Sequence, residues 1–288
     1  MSRLPCGMRD FYPKDVYIRK YIFDQIIKKF KLRGGEEIDT PVAECMNTVK
    51  NLYGDEFNKQ VFKLDSVSSE PLLLRYDLTV PFIRFIANNG IIAYRRYQIG
   101  KVYRKDTPHK EKGRYREFYQ CDFDIVGTDS NLMIYDTEIL DLLIDVLDDL
   151  IKPDTYEVYL NHRQIVYSIL KLAKINPLNF DAVCSTLDKL DKKPWDEIVV
   201  ELKESRSVSD ASVEILTKIK LNVDNILTTY TDMQDCLECM LQEEYIEQDT
   251  YDELKLLFTN LTNLNIIDKF VFNPFLIRGL DYYTGIIY

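Results

Sequence analysis

The stretch Tyr115-Arg116-Glu117-Phe118-Tyr119-Gln120-Cys121-Asp122-Phe123-Asp124-Ile125-Val126 decides the fold. It reads as a long β-strand. Successive side chains of a strand point to opposite faces. Arg116, Phe118, Gln120, Asp122 and Asp124 therefore share one face, and Glu117, Tyr119, Cys121, Phe123 and Ile125 share the other. The first face is odd for a core: one aromatic plane, an amide and carboxylates, with an arginine at the entry. Buried polar groups need partners, so this face is either solvated or lines a polar ligand pocket. A second β-like run, Tyr94 to Arg104, precedes it, and the polar segment Asp106 to Gly113 lies between. The pair reads as an antiparallel hairpin with a long tip.

Upstream, Ile18, Ile22, Ile26, Ile27 and Phe30 recur at helical spacing from Lys14 to Leu32, with Pro13 at the entry and Gly34-Gly35 at the exit. A short strand is expected over Glu36 to Thr40, ending at Pro41, which cannot donate to a ladder. Another begins at Leu72 to Leu74 and continues through Arg75-Tyr76-Asp77-Leu78-Thr79-Val80-Pro81. Asp77 and Thr79 stand two apart on that extended segment and so point the same way. Phe82 to Ala87 reads as helix, as does Ile134 to Ile151 with Ile139, Leu143, Val146, Leu147 and Leu150 as its apolar positions. From Leu160 to about Leu264 short helix patterns dominate, broken at Asp191-Lys192-Lys193-Pro194. β character returns at Lys269 to Phe275 and again from Leu280. A helical block between returning strands marks an inserted module. The expected division is 1–159, a helical insertion at 160–265, and 266–288.

The chain has 288 residues, enough for one large domain with an insertion or for two domains. No G-x-x-x-x-G-K-[ST] run occurs, which excludes a P-loop. The first residues lack an apolar signal region and no stretch reaches 18 apolar residues. A soluble, cytoplasmic protein without a membrane span is expected. Six scattered cysteines fit a reducing compartment. Cys236 and Cys239 form a C-x-x-C, but a four-ligand zinc site needs two further ligands nearby and the only histidines are His109 and His162. No metal held by protein side chains is expected. The net charge of −10 argues against a free-standing nucleic-acid binder. Nine basic residues nevertheless fall within 22 positions: Arg95, Arg96, Lys101, Arg104, Lys105, Lys110, Lys112, Arg114 and Arg116. They form either a solvated charged hairpin or a site for a polyanionic ligand.

Several motifs carry a family resemblance. Tyr103-Arg104-Lys105-Asp106, followed by Lys112-Gly113-Arg114-Tyr115 and on to Ile125, resembles the second motif of class II aminoacyl-tRNA synthetases in its histidyl form. Arg278-Gly279-Leu280-Asp281-Tyr282-Tyr283-Thr284-Gly285 resembles the histidine-binding peptide of histidyl-tRNA synthetases. Arg75 to Phe82 resembles the eukaryotic cytosolic type. Gly7 to Pro13, Glu37 to Val42 and Asp188 to Lys192 are similar to further parts of that family. The resemblance spans the chain from about Gly7 to Tyr288.

The resemblance implies an α+β fold: a mainly antiparallel class II sheet flanked by helices, with an all-helical insertion. It implies a histidine–tRNA ligase that forms histidyl-adenylate from histidine and ATP, with Mg2+ on the nucleotide, and passes histidine to tRNA(His). It places Arg104 on the α-phosphate and histidine carboxylate, and Arg278 on the opposite side of that phosphate. Phe118 stacks on adenine, Asp106 faces the adenine edge and Arg114 meets the phosphates. Asp77, Thr79 and Gln120 bind the amino group; Asp124 and Tyr283 read the imidazole. A neutral imidazole has one donor and one acceptor nitrogen, so a carboxylate and a phenol can serve one each. Asp281 and Tyr282 either support this site or belong to the core or a sheet edge. A homodimer through Pro41 and the preceding helix is implied as well. The family's third motif and its anticodon-binding domain are not found in the 288 residues, and an incomplete chain with impaired activity is expected. The alternative is a non-catalytic synthetase-like module that senses histidine or uncharged tRNA.

Overall fold

The computed structural model describes residues 3–49, 60–65, 70–109, 111, 113–128, 133–153, 155–278 and 284–288. The chain folds as two compact units, Met1–Ser130 with Asp145–Leu150, and Asn131–Ile144 with Ile151–Tyr288. Among the described residues four of the six strand pairings are antiparallel, which gives the mainly antiparallel α+β fold. Among the described residues no helix is long and apolar enough to cross a membrane.

The first unit is organised by the hairpin of β5 (Tyr94–Tyr103) and β6 (Glu117–Val126), paired without a break from Tyr94↔Val126 to Tyr103↔Glu117. Strand β1 (Glu36–Glu37) joins β5 in parallel. It is shorter than expected, because beyond it the chain turns to other partners. Ile38 N–H still donates to Tyr97 O at 3.1 Å, but Asp39 and Thr40 bond to the Gln98 side chain. Helix α1 (Pro13–Leu32) covers one face of the hairpin. The Phe30 ring packs tilted at 5.7 Å from Tyr97 and 5.2 Å from Phe123, and Phe23 at 5.1 Å from Tyr119. Each large side chain buried this way contributes about 1.5–3 kcal/mol. The N-terminal arm clamps the same face by alternating cations and rings. Arg9 lies 4.4 Å from Phe11 and 4.2 Å from Tyr115; Arg19 lies 4.5 Å from Phe11 and 4.8 Å from Tyr119.

A second sheet of the unit contains β2 (Ala43–Cys45), which runs on into the one-turn α2 (Met46–Val49), together with β3 (Lys63–Leu64) and β4 (Leu72–Leu74), in the order β2-β4-β3. It closes over Val49, Val61, Leu73 and Val80. Strand β4 does not continue to Pro81. Arg75 turns inward and donates to Lys101 O and Thr40 O, both at 2.7 Å. Helix α3 (Thr79–Asn89) then starts, with Asp77 Oδ1 accepting from Val80 N–H at 3.1 Å. Pro81 sits in the first turn, where its missing N–H costs nothing. Asp77 and Thr79 are therefore not neighbours on one extended face: Asp77 closes the first turn of α3, which Thr79 begins.

Helix α4 (Ile134–Leu150) buries Leu140, Leu142 and Ile144 rather than the five positions expected. Its last turn is bound to α1 by Lys29–Asp149 at 3.0 Å and Arg33–Asp145 at 2.7 Å. In the second unit β7 (Val158–His162) pairs with β8 (Phe270–Phe272) in parallel and β9 (Ile286–Ile287) antiparallel. The helical block therefore starts at Arg163, three residues past the expected Leu160. It comprises α5 (Arg163–Leu172), α6 (Phe180–Leu187), α7 (Trp195–Arg206), α8 (Asp210–Thr229), α9 (Met233–Gln242) and α10 (Gln248–Asn263). The break expected at Asp191–Pro194 separates α6 from α7.

Gly35 lets the turn after α1 meet the hairpin. A Cβ there would stand 2.6 Å from Phe123 Cε2 and 2.9 Å from the backbone oxygen of Phe30. Neither can move without opening the α1–hairpin packing. Gly35→Ala is expected to lower stability by about 1–3 kcal/mol, the usual cost of overpacking, measured by urea denaturation. A loss below about 0.5 kcal/mol, within the range of ordinary surface changes, would contradict this packing.

Candidate active site

The hairpin face turned away from α1 carries the polar row. Register aligns Val102 with Phe118, Gly100 with Gln120, Gln98 with Asp122 and Arg96 with Asp124. At about 3.4 Å per residue, the row from Phe118 to Asp124 is roughly 20 Å long.

One end is an aromatic and cationic platform. The Arg104 guanidinium lies 4.3 Å from the Tyr76 ring and 5.2 Å from the Phe118 ring, and its Nε donates to Tyr76 O at 3.2 Å. That leaves the Nη groups as a donor fork between two rings, a geometry suited to a phosphate or carboxylate beside a flat base. Asp106 and Arg114 lie on the hairpin loop. The Asp106 backbone oxygen accepts from Arg116 Nε at 3.1 Å. Arg114 is exposed, pinned by a two-way backbone pairing with His109 at 3.0 and 3.1 Å.

The other end is a carboxylate cluster around one buried cation. Arg96 pairs with Asp124 Oδ2 through Nη2, lies 3.8 Å from Asp122 Oδ2, and donates to Leu78 O at 3.1 Å. Gln120 Nε2 donates to Asp122 Oδ1 at 3.3 Å. Burial raises the Asp122 carboxyl to about 6, with Arg96 opposing and Asp124 and Asp77 adding to the rise. Burial raises Asp124 too, against the pull of Arg96. The cluster thus carries more carboxylates than cations and presents acceptors to its surroundings, which suits a nitrogenous, positively charged ligand.

Hydrogen bonds and close packing tie the row to its neighbours. Gln98 bonds to Thr40 and Asp39. The Arg75 guanidinium fits under Gly100, where a Cβ would stand 2.6 Å from Nη2.

Asp77, Thr79, Gln120, Asp124, Arg104, Asp106, Arg114 and Phe118 all fall in the first unit. Arg278 is exposed and falls in the second, following β8. There burial raises the Asp188 carboxyl, opposed by the charges of Lys192 and Arg278. Tyr283, and with it Asp281 and Tyr282, lies outside the described residues, as do Lys110 and Lys112 of the basic run. Arg96 belongs to that run by sequence but is buried against carboxylates, so it does not face a polyanion. Sequence reasoning missed its part in the site. The period-2 alternation of β5, which puts Arg96, Gln98, Gly100 and Val102 on one face, is the signal that carried it.

Three of the cysteines are held away from any thiolate role. Burial pushes the thiols of Cys121 and Cys236 up to about 11 and Cys184 up to about 12, far from thiolate chemistry. Cys236 Sγ points to Tyr230 O at 3.4 Å. Among the described residues no three His, Cys, Asp or Glu side chains stand close enough to hold a metal ion.

The profile of the histidyl-tRNA synthetase family matches residues 7–288. The chain is similar to the histidine–tRNA ligase of Danio rerio, 41% identical over 98% of this chain and 54% of that protein. It is similar to the cytoplasmic histidine–tRNA ligase of Dictyostelium discoideum, 37% identical over 99% of this chain and 58% of that protein. It thus spans little more than half the length of these relatives. Its fold is similar to that of the crystal structure of histidyl-tRNA synthetase from Nostoc sp., with a TM-score of 0.76 at 22% identity over 99% of this chain and 63% of that one. By its motifs, its sheet and a family match running almost end to end, the chain belongs to the histidyl-tRNA synthetase family.

Proposed function

We propose that the chain provides the histidine-activating site of a histidine–tRNA ligase, which forms histidyl-adenylate from histidine and ATP and passes histidine to tRNA(His). The observation that carries this reading is the row along β6, with a stacking platform at one end and a carboxylate cluster at the other. Its length of roughly 20 Å suits an aminoacyl nucleotide lying along it.

A carboxylate oxygen of histidine attacks the α-phosphorus, the bond to the β-phosphate breaks, and pyrophosphate leaves. No protein nucleophile is required, so the residues position the reactants and stabilise charge. Adenine stacks on Phe118, with Asp106 at its edge. Arg104 bridges the α-phosphate and the histidine carboxylate, and Arg114 meets the outer phosphates. Asp77, Thr79 and Gln120 take the α-ammonium. Asp124 accepts from an imidazole N–H. The roles of Arg278 on the phosphate and Tyr283 on the imidazole rest on the family resemblance alone. Mg2+ enters with the nucleotide, and no residue of this chain is assigned to it.

Residues 1–159 and 266–288 form the catalytic core and 160–265 the helical insertion. The compartment is the cytoplasm, although relatives named for cytoplasmic and for mitochondrial forms both match. The protein is a homodimer. The inner face of α1 packs on the hairpin, whereas Tyr17 and Tyr21 on the same helix are 74% and 57% exposed. A second copy burying that outer face through a two-fold contact accounts for them.

Among the twenty amino acids, histidine alone is expected to raise the melting temperature in the presence of ATP, since a ligand that binds only the folded state stabilises it. A chain stabilised equally by several amino acids would overturn the reading. Asp124→Asn keeps the shape beside Arg96 but removes the charge and replaces one of the two acceptor oxygens with a donor NH2. Its histidine affinity should fall at least about 30-fold, the cost of leaving a buried donor unpaired, while ATP affinity stays within about twofold. Unchanged histidine binding in calorimetry would remove Asp124 from the site. Light scattering at micromolar concentration should report a dimer, and Tyr17→Glu with Tyr21→Glu should give a folded monomer. A wild type that is monomeric throughout would refute the two-fold contact.

A further inference from the structure

One cation of the polar row lies out of reach of solvent. Arg96 is 0% exposed. Leu78 O, Asp124 Oδ2 and, at 3.8 Å, Asp122 Oδ2 all gather at its Nη2, and the guanidinium sits 4.5 Å over the Phe82 ring. Its Nε and Nη1 find no acceptor among the described residues, and neither does Gln120 Oε1 beside it. A buried arginine with two idle donors is costly for a fold. Its arrangement makes sense if the cation serves the carboxylates around it.

We propose that Arg96 is a positioning residue of the amino-acid pocket: it fixes Asp124 through one oxygen and draws Asp122 to the same guanidinium, so that the pocket accepts a ligand bringing one cation and one N–H donor. The proposal rests on the histidine reading above and adds how selectivity is set.

Two steps support it. First, the Asp124 side chain is 27% exposed while its partner is fully buried. Oδ2 is paired with Arg96 by charge, without hydrogen-bond geometry, and Oδ1 remains for a ligand. An ionised carboxylate only accepts, so the group opposite must donate. Second, the charges do not balance. Asp122 is faced by Arg96 from β5, by Asp124 and Gln120 from its own strand, and by Asp77 from the turn before α3. The carboxylates of Asp122 and Asp124 share the single charge of Arg96. The α-ammonium of an amino acid supplies a second positive charge.

The sign of the proton linkage follows. In the wild type burial raises the Asp122 carboxyl to about 6. At pH 7.5 it is already ionised, and histidine binding should exchange less than about 0.2 proton. Arg96 opposes the rise of both carboxyls. Removing its charge moves their titration upward, so that the empty pocket holds a proton at pH 7.5 and gives it to solvent when the α-ammonium enters.

Calorimetry of the 288-residue chain with L-histidine in the presence of ATP, at pH 7.5 in phosphate and in Tris, reads both quantities. Arg96→Met should weaken histidine at least about tenfold and release about half a proton or more, with ATP affinity within twofold. Arg96→Lys keeps the charge but not the fork. It should release no more protons than the wild type, yet weaken histidine about fivefold or more. Should Arg96→Met fail to melt cooperatively, Arg96→Lys and the charge-matched R96M/D122N variant carry the test, the latter with weakened histidine and no proton release. Histidine and ATP affinities falling together in a folded variant overturn the positioning role. So does wild-type histidine affinity in Arg96→Lys, or an unchanged proton count in Arg96→Met. A wild type that binds ATP but no histidine overturns the histidine reading and this proposal with it, whereas normal wild-type binding with unselective variants overturns only the proposal.

Discussion

Ten unbroken residue pairs between β5 and β6 constrain the first unit more than any other feature. A ladder of that length admits no slip, because a shift of one residue would exchange the two faces completely. With the register fixed, Tyr97 and Phe123 must meet Phe30 of α1, and Arg96 and Asp124 must meet each other on the far side. The division between a packed face and a chemical face follows from that single alternation.

The chemical face is expensive, and its surroundings show how the cost is met. Two arginines are buried near the row. Arg75 is held by backbone oxygens from two segments, Lys101 and Thr40, so its charge acts as a clamp joining the hairpin to the chain before β2. Arg96 is held by side-chain carboxylates that titrate. The first arrangement rests on neutral backbone oxygens; the second rests on carboxylates. Glycine at position 100 permits the first, since a side chain there would displace the Arg75 guanidinium. The bidentate pairing of Arg84 with buried Glu44, both contacts at 2.9 Å, fixes α3 to β2. That pairing supports the turn in which Asp77 sits.

The second unit solves a different problem. Its central strand β7 carries Asn161 and His162, both nearly without solvent contact. Asn161 Nδ2 donates to Pro274 O and Leu276 O at 2.9 Å each, which ties the segment after β8 back to the strand. His162 Nδ1 accepts from Gln164 N–H and so caps α5, while Nε2 lies 3.0 Å from Glu253 Oε2 on α10. Burial holds this imidazole down to about 4, which leaves Nδ1 able to accept, whereas Nε2 makes no hydrogen bond among the described residues. One strand thereby organises both the strands that return and the helices that intervene.

The sequence alone determined the hairpin, the amphipathic helix before it, the helical block and the family. These depend on short-range periodicity and on motifs contiguous in the chain. It also picked out Gln120 and Asp124, because polar residues alternating on a strand are visible without a partner. Two things depended on tertiary structure. The segment Arg75 to Pro81 reads as a strand by pattern, yet it bends into α3 because Arg75 finds acceptors on Lys101 and Thr40, which are distant in sequence, and Asp77 closes the helix turn. Arg96 reads as one more charge in a basic run of nine. Only the pairing of β5 with β6 sets it opposite Asp124, and only the cover of Leu78 and Phe82 removes it from water. A charge acquires its role from what surrounds it, and those neighbours are brought together by folding rather than by sequence proximity.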